Sequence, residues 1–176
     1  CDDTLKIVFS LIENSTTTLV LDADALNCVA KQPEILLRKK APIIITPHPG
    51  EMSRLTGLAT PLVNAERERV ALDFAQKYGV VTVLKGAGTV IASPNGKVLV
   101  NPTGNSGMAT GGSGDVLAGM TASILAQGAS PFSSAAAAVY LHGLAGDIAA
   151  EKYGKISMLP TDLINCIPLA YNRCGI

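Results

Sequence analysis

With 176 residues, 48% of them hydrophobic and 16% charged, the chain is long enough for one domain with a substantial core and too apolar for a disordered segment. Fourteen basic side chains balance fourteen acidic ones, and three Phe, four Tyr and no Trp leave little for stacking on bases, which excludes a broad basic nucleic-acid surface. The cysteines at 1, 28, 166 and 174 form no CxxC pair, which argues against a zinc site or a disulfide framework and for reduced, mostly buried thiols in a cytoplasmic protein.

The chain opens on Cys1 rather than Met, with no signal peptide, so the expectation is that something upstream has been lost. DDTLKIVFSLIENS reads as an amphipathic helix. Thr18 to Leu21, β-branched or aliphatic, predict a buried strand ending in Asp22 and Asp24, where Asp24 also suits a helix N-cap. Pro33 to Lys40 predict a short helix. A second strand is expected at Ile43 to Ile45, broken by Pro47 and Pro49, with Glu51 starting a helix that stops near Gly57. Asn64 is a plausible N-cap for AERERVALDFAQKYG, which Gly79 closes, and the charged run at 66–69 reads as a solvated face. VVTVLKG predicts the third strand, and TVIASPNGKVLV a hairpin turning on Asn95–Gly96 at positive φ. Three helices are expected in DVLAGMTASILAQG, SPFSSAAAAVYLHGLAGDIAAEKYG and TDLINCIPLAYN, with Ser130–Pro131 and Thr161 as starts. The weakly charged run SSAAAAVYLHGLAGDIAA, with His142 and Asp147, reads as a tightly packed helix within a domain rather than a membrane span. Strands alternating with helices predict an α/β layered fold with a mostly parallel sheet, one incomplete domain over residues 1–176.

Ligands of open parallel sheets bind beyond the carboxyl ends of the strands. Asp22 and Asp24, then TPHPGE, then Lys85–Gly86 gather at those ends. Gly111, Gly112 and Gly114 let the backbone approach a ligand, and a helix beginning near Gly112 or Ser113 would turn its unpaired amides and positive dipole end toward an anion, most naturally a phosphate. Asp115 falls in the first turn of that helix. An acid there complements the dipole, yet it also repels a bound phosphate. A general base taking a proton from a hydroxyl that attacks phosphorus explains its position better. The loop is no Walker A motif, because no Lys-Ser/Thr follows its last glycine, and no strand immediately precedes it as a dinucleotide fingerprint requires. Lys85 in KGAGT reads equally as a phosphate or ribose contact and as a surface lysine. His48, stiffened by Pro47 and Pro49, fits either a substrate contact or a helix cap, while His142 reads as a core or interface residue.

LDADALN, ITPHPGEMSRLTG, VLKGAGT and NPTGNSGMATGGSGDVLAG, in this order and spacing, resemble the NAD(P)H-hydrate dehydratase family of the ribokinase-like superfamily; LHGLAGDIA and TDL continue the likeness. GSGD alone is shared with sugar and vitamin kinases, whereas HPGE together with GNSGMATGGSGD is far more specific. The resemblance implies a ribokinase-like fold with helices on both faces of the sheet. It implies nicotinamide cofactor repair, in which the ring hydroxyl of hydrated NADH or NADPH is phosphorylated from ADP or ATP with Mg2+ and then eliminated as phosphate, a carbon–oxygen lyase reaction. It assigns the adenine nucleotide to Lys85, Gly86, Ala87, Gly88 and Thr89 and to the loop of Gly104, Asn105, Ser106, Gly107, Met108, Ala109, Thr110, Gly111, Gly112, Ser113 and Gly114. His48 and Asp115 would face the hydrated cofactor, Asp115 as the base, and no residue is assigned as a metal ligand.

Members of that family carry a further N-terminal portion with another glycine-rich strand–loop and a GPGLG loop. Neither is found here, so the resemblance implies the C-terminal part of the domain. The expected partners are the two small molecules, further copies of the chain packed through the small-residue helix at 133–150, and an NAD(P)H-hydrate epimerase fused upstream or working alongside; neither nucleic acid nor membrane is expected. Two other readings stand beside this one. A kinase of a small hydroxylated vitamin precursor would use the same acid and anion site but release a stable ester. A nucleotide-binding remnant would bind without turnover.

Overall fold

Three short runs of β-branched and aliphatic residues make the centre of the sheet: β1 (Leu19–Leu21), β2 (Ile43–Ile45) and β3 (Val81–Leu84). They lie parallel, with Leu19 opposite Ile43 and Ile44 opposite Val81. The hairpin of β4 (Val90–Ala92) and β5 (Val98–Val100) adds two antiparallel strands beside β3, so sheet order follows chain order. This computed structural model describes residues 2–176; Cys1, first of the four cysteines, lies outside the described residues.

Side chains alternate between two cores, as the period of a strand requires. Ile43 and Ile45 pack into one core with α1 (Asp2–Asn14), α2 (Asp24–Val29), a 3-10 helix at Pro33–Arg38, α3 (Pro49–Thr56), α4 (Thr60–Ala65) and α5 (Arg67–Tyr78). Ile44, Val81 and Val83 pack into the other, with α6 (Ser113–Ala126), α7 (Pro131–Tyr153) and α8 (Pro160–Arg173). The expected α/β layering, with helices on both faces, is present. Fully burying each of Ile43, Ile44 and Ile45 contributes roughly 2–3 kcal/mol, so the short β2 helps to anchor both cores.

Several local expectations change. α3 begins at Pro49, two residues before Glu51, because His48 caps it. Asp24 is the first residue of α2 and not its cap; Ala23 takes that position, at φ 49. Asn64 falls in the last turn of α4, and Glu66 precedes α5 without a side-chain cap. In the hairpin only Gly96 takes a positive φ. Its N–H donates to Ser93 O at 3.1 Å, and Ser93 N–H donates to Lys97 O at 2.9 Å, so the turn runs Ser93–Gly96 rather than pivoting on a left-handed Asn95. α8 starts at Pro160, one residue before Thr161, with Leu159 N–H donating to Asp162 Oδ2 at 2.9 Å. Cys28 and Cys166 are buried as expected, whereas Cys174 is exposed.

The long helix α7 is the tightly packed helix that its alanines predict. Ala135, Ala138, Val139, Ala145 and Ala149 are buried within the chain itself, while Tyr140 is exposed. No helix among the described residues is long and apolar enough to cross a membrane.

Candidate functional site

At the carboxyl ends of the three parallel strands lies a cavity of about 860 Å³. It is lined by Asp22, His48, Glu51, Lys85 to Thr89, Gly104 to Ser106 and Met108 to Asp115. Of the residues expected here, Asp24 and Gly107 do not line it. Gly107 instead lies against the chain after α7, where an added Cβ would come within 2.5 Å of Lys155 O.

The cavity wall is a charged cluster built by strand ends. Lys85 follows β3, and its N–H donates to Pro47 O at 2.8 Å. Its ammonium donates to Asp22 Oδ1, after β1, at 2.7 Å and stands 3.9 Å from Glu51 Oε2 in α3. All three side chains are largely shielded from water, so each charge needs the others. Lys85 is therefore no ordinary surface lysine. Glu51, unremarked beyond its helix, takes the His48 N–H at 2.8 Å. His48 is a helix cap, as one of its two expected roles has it: Nδ1 accepts from Gly50 N–H at 3.0 Å at the start of α3, and the ring borders the cavity. With Nδ1 accepting, the neutral ring carries its proton on Nε2, 3.6 Å from Glu51 Oε1.

Above this cluster stands the head of α6. A Cβ on Gly114 would lie 3.4 Å from Lys85 Nζ and 3.7 Å from Asp22 Oδ2, so the ion pair sits directly against the first turn. Gly112 caps the helix at φ 94. Val116 N–H donates to Gly112 O at 3.2 Å, which leaves the amides of Gly114 and Asp115 ahead of that first helical hydrogen bond. Two orphan donors, the positive end of the helix dipole and Lys85 thus share one wall, the arrangement an anion seeks. Asp115 is exposed at the same turn and in no ion pair among the described residues.

The KGAGT turn is fixed from below. Thr89 Oγ1 donates to Gly86 O at 3.0 Å, and Gly86 N–H donates back to Thr89 Oγ1 at 3.3 Å. Arg67 Nη2 donates to Leu84 O at 2.8 Å and to Gly88 O at 3.4 Å, and a Cβ on Gly86 would come within 2.6 Å of Arg67 Nη1. This corrects the solvated face expected at 66–69. Arg69 does pair outward with Glu66 and Asp73, but Arg67 is half-buried, and burial pulls its guanidinium below the usual value.

His142 is a core residue, as expected, and it also touches the site. Its Nε2 lies 3.0 Å from Ser113 O, and the ring borders the cavity. Burial pushes the imidazole down to about 4, with the Lys85 charge acting the same way and the Ser113 carbonyl opposing it. The ring is neutral near pH 7, and Nε2–H donates to the Ser113 carbonyl. One more acid escaped the sequence reading: Asp147 of α7, whose Oδ2 accepts Gly104 N–H at 2.9 Å and whose Oδ1 accepts Asn105 Nδ2–H at 3.0 Å. The local signal was a pair of glycines inside a helix, Gly143 and Gly146, each costing about 1 kcal/mol against alanine.

Known proteins resemble this chain in sequence and fold. The family model described as NAD(P)H-hydrate dehydratase matches residues 2–169. The bifunctional NAD(P)H-hydrate repair enzyme Nnr of Moorella thermoacetica is 45% identical over 165 residues, 94% of this chain and 31% of that protein. The ADP-dependent (S)-NAD(P)H-hydrate dehydratase of Neisseria meningitidis is 43% identical over 146 residues, 82% of this chain and 49% of that protein. The chain thus spans a third to a half of the length of these curated relatives. The crystal structure of ADP/ATP-dependent NAD(P)H-hydrate dehydratase from Bacillus subtilis, co-crystallized with ATP/Mg2+, superposes with a TM-score of 0.81 at 37% identity, covering 89% of this chain and 55% of that one. The layered architecture is the ribokinase-like one. With the family model running nearly end to end and the glycine loop, its acid and the strand-end cluster all in place, the chain belongs to the NAD(P)H-hydrate dehydratase family.

Proposed function

We propose that the cavity carries out the nucleotide-dependent dehydration of hydrated NADH or NADPH, the activity named for the relatives. One observation carries this reading: Asp115 stands beside two orphan amides at the head of α6, over the Lys85–Asp22 pair, so that a base and an anion site share one wall. The turn at 85–89 and the loop at 104–114 hold the adenine nucleotide, and His48 and Asp115 face the hydrated ring. Asp115 takes the proton of the ring hydroxyl as its oxygen attacks the terminal phosphorus. The phosphorus–oxygen bond to the nucleotide breaks, and the transferred group gathers negative charge that the amides and Lys85 stabilise. The ring nitrogen's lone pair then expels phosphate from carbon, and loss of a proton from the adjacent ring carbon restores the reduced nicotinamide.

Mg2+ suits this site as a companion of the nucleotide. It demands only one or two protein carboxylates when phosphates supply the rest of its shell, and Asp22 and Glu51, both at the cavity wall, are the residues that would hold it. Among the described residues no group of three or more His, Cys, Asp or Glu could hold a metal alone. When bound, the ion supplies neutralising charge to the phosphate oxygens. A cofactor pool as substrate makes the cytoplasm the setting. Relatives named bifunctional support an NAD(P)H-hydrate epimerase as partner, and self-association, with the small-residue helix at 133–150 as a candidate surface, belongs to the same proposal.

The test incubates the protein with hydrated NADPH and ADP and follows the return of reduced-nicotinamide absorbance. Asp115→Asn should lower turnover by about 100-fold or more while ADP binding persists. Equal turnover by both forms would remove Asp115 as the base. Absence of recovery with a stable ester formed from a vitamin-precursor alcohol would favour the kinase, and ADP binding without any turnover would favour the remnant.

A further inference from the structure

The first leg of the glycine loop is tied to one helix, α7. Thr103 Oγ1 donates to Tyr140 O at 2.9 Å, and Asn105 Nδ2 donates to Gly146 O at 3.0 Å. Asp147 closes this set: one carboxylate oxygen takes the Gly104 amide and the other takes the Asn105 side chain. Asn105 in turn accepts Gly107 N–H on Oδ1 at 3.0 Å, so the carboxylate reaches the next turn of the loop through a single intermediary. Gly104 lies at φ 102, a conformation that glycine adopts readily and that an L side chain would strain, so its place in the loop is set by the contacts around it. Gly143 and Gly146 make the close approach possible, since a Cβ on either would meet Thr103 or Met108.

We propose that Asp147 is a positioning residue for nucleotide binding: it pre-organises the Gly104–Met108 leg of the loop so that the nucleotide finds its backbone already in place. The inference rests on the nucleotide reading of the loop given above. Asp147 does not line the cavity, so it acts on the ligand only through Gly104 and Asn105. The apparent affinity of a site scales with the fraction of molecules that hold the binding-competent form. A hydrogen bond to a charged group is strong enough that losing two of them can drop that fraction to about one in ten or lower.

Calorimetric titration with ADP of the wild-type chain, Asp147→Ala and Asp147→Asn tests this, with hydrogen exchange of the loop amides measured without nucleotide. Asp147→Ala should weaken ADP binding about tenfold or more, and Asp147→Asn, which keeps one acceptor, should fall between it and the wild type. Exchange at Gly104 to Met108 should accelerate in the same order. Where turnover is measured, KM for the nucleotide should rise with kcat changed by less than about threefold. If Asp147→Ala does not fold, Asp147→Asn carries the test alone and should bind ADP measurably more weakly than the wild type, with faster exchange at Gly104. A merely structural role would lower the melting temperature and leave the affinity of the folded variants within about twofold of the wild type, and that result overturns the inference alone. A wild-type chain that does not bind ADP overturns the nucleotide reading and this inference with it.

Discussion

His142 is buried against the head of α6, while Asp115 is exposed in the first turn of that helix, and burial decides how His142 responds to pH. The folded-state pKa of His142 is depressed from 6.5 to about 4 by burial. The unfolded chain therefore binds more protons between those values, and stability rises with pH through that window. It is fully present above 6.5 and is lost as pH falls toward 4. The full swing amounts to about 3 kcal/mol. Urea midpoints measured across this range should drop accordingly. His142→Gln, which keeps a donor for the Ser113 carbonyl but cannot titrate, should flatten this part of the slope. A parallel slope in both proteins would assign the loss to other groups. Asp115 was legible in the sequence because an acid straight after a glycine run at a helix start is electrostatically odd. Arg67 and Asp147 were not, because nothing near them in sequence shows that their acceptors and donors lie 17 to 43 positions away.

Among the elements, α7 shows what composition predicts about packing and what it leaves open. Its alanines announce close approach, but the sequence does not say to what. The structure shows α6, α8 and the sheet on the buried side and the glycine loop beside Gly143 and Gly146. Gly143→Ala tests this directly. In an isolated helix the change would gain about 1 kcal/mol. Here the new methyl would sit 2.8 Å from the Thr103 carbonyl carbon as well as against its side chain, so a net loss of about 1–3 kcal/mol is expected from overpacking. Gly146→Ala should cost less, because its neighbour is the flexible end of Met108. Thermal unfolding of the two variants ranks them, and a stabilised Gly143→Ala protein would show that the loop yields freely.

For the molecule as a whole, strand ends were the most readable feature. Runs such as Ile43–Ile45 mark their own burial, and polar residues after them mark the sheet edge where ligands gather. The ion cluster that joins three of those ends was not readable, since it needs Asp22, Glu51 and Lys85 to meet across 63 positions. Lys85→Met should expose its cost: two shielded carboxylates left without a cation destabilise the fold by about 3 kcal/mol. Asp22→Asn added to it should recover part of that loss, and equilibrium unfolding of the single and double variants measures the difference. No recovery would mean that the pair contributes little.

His142 and Asp147 touch the two ends of one loop from positions five apart on α7, a separation of about 7.5 Å along the helix axis and roughly 140° around it. A residue inserted between them would swing one contact by about 100° relative to the other. The spacing between these two side chains is consequently a fixed ruler, and a change in its length would unfasten one end of the loop.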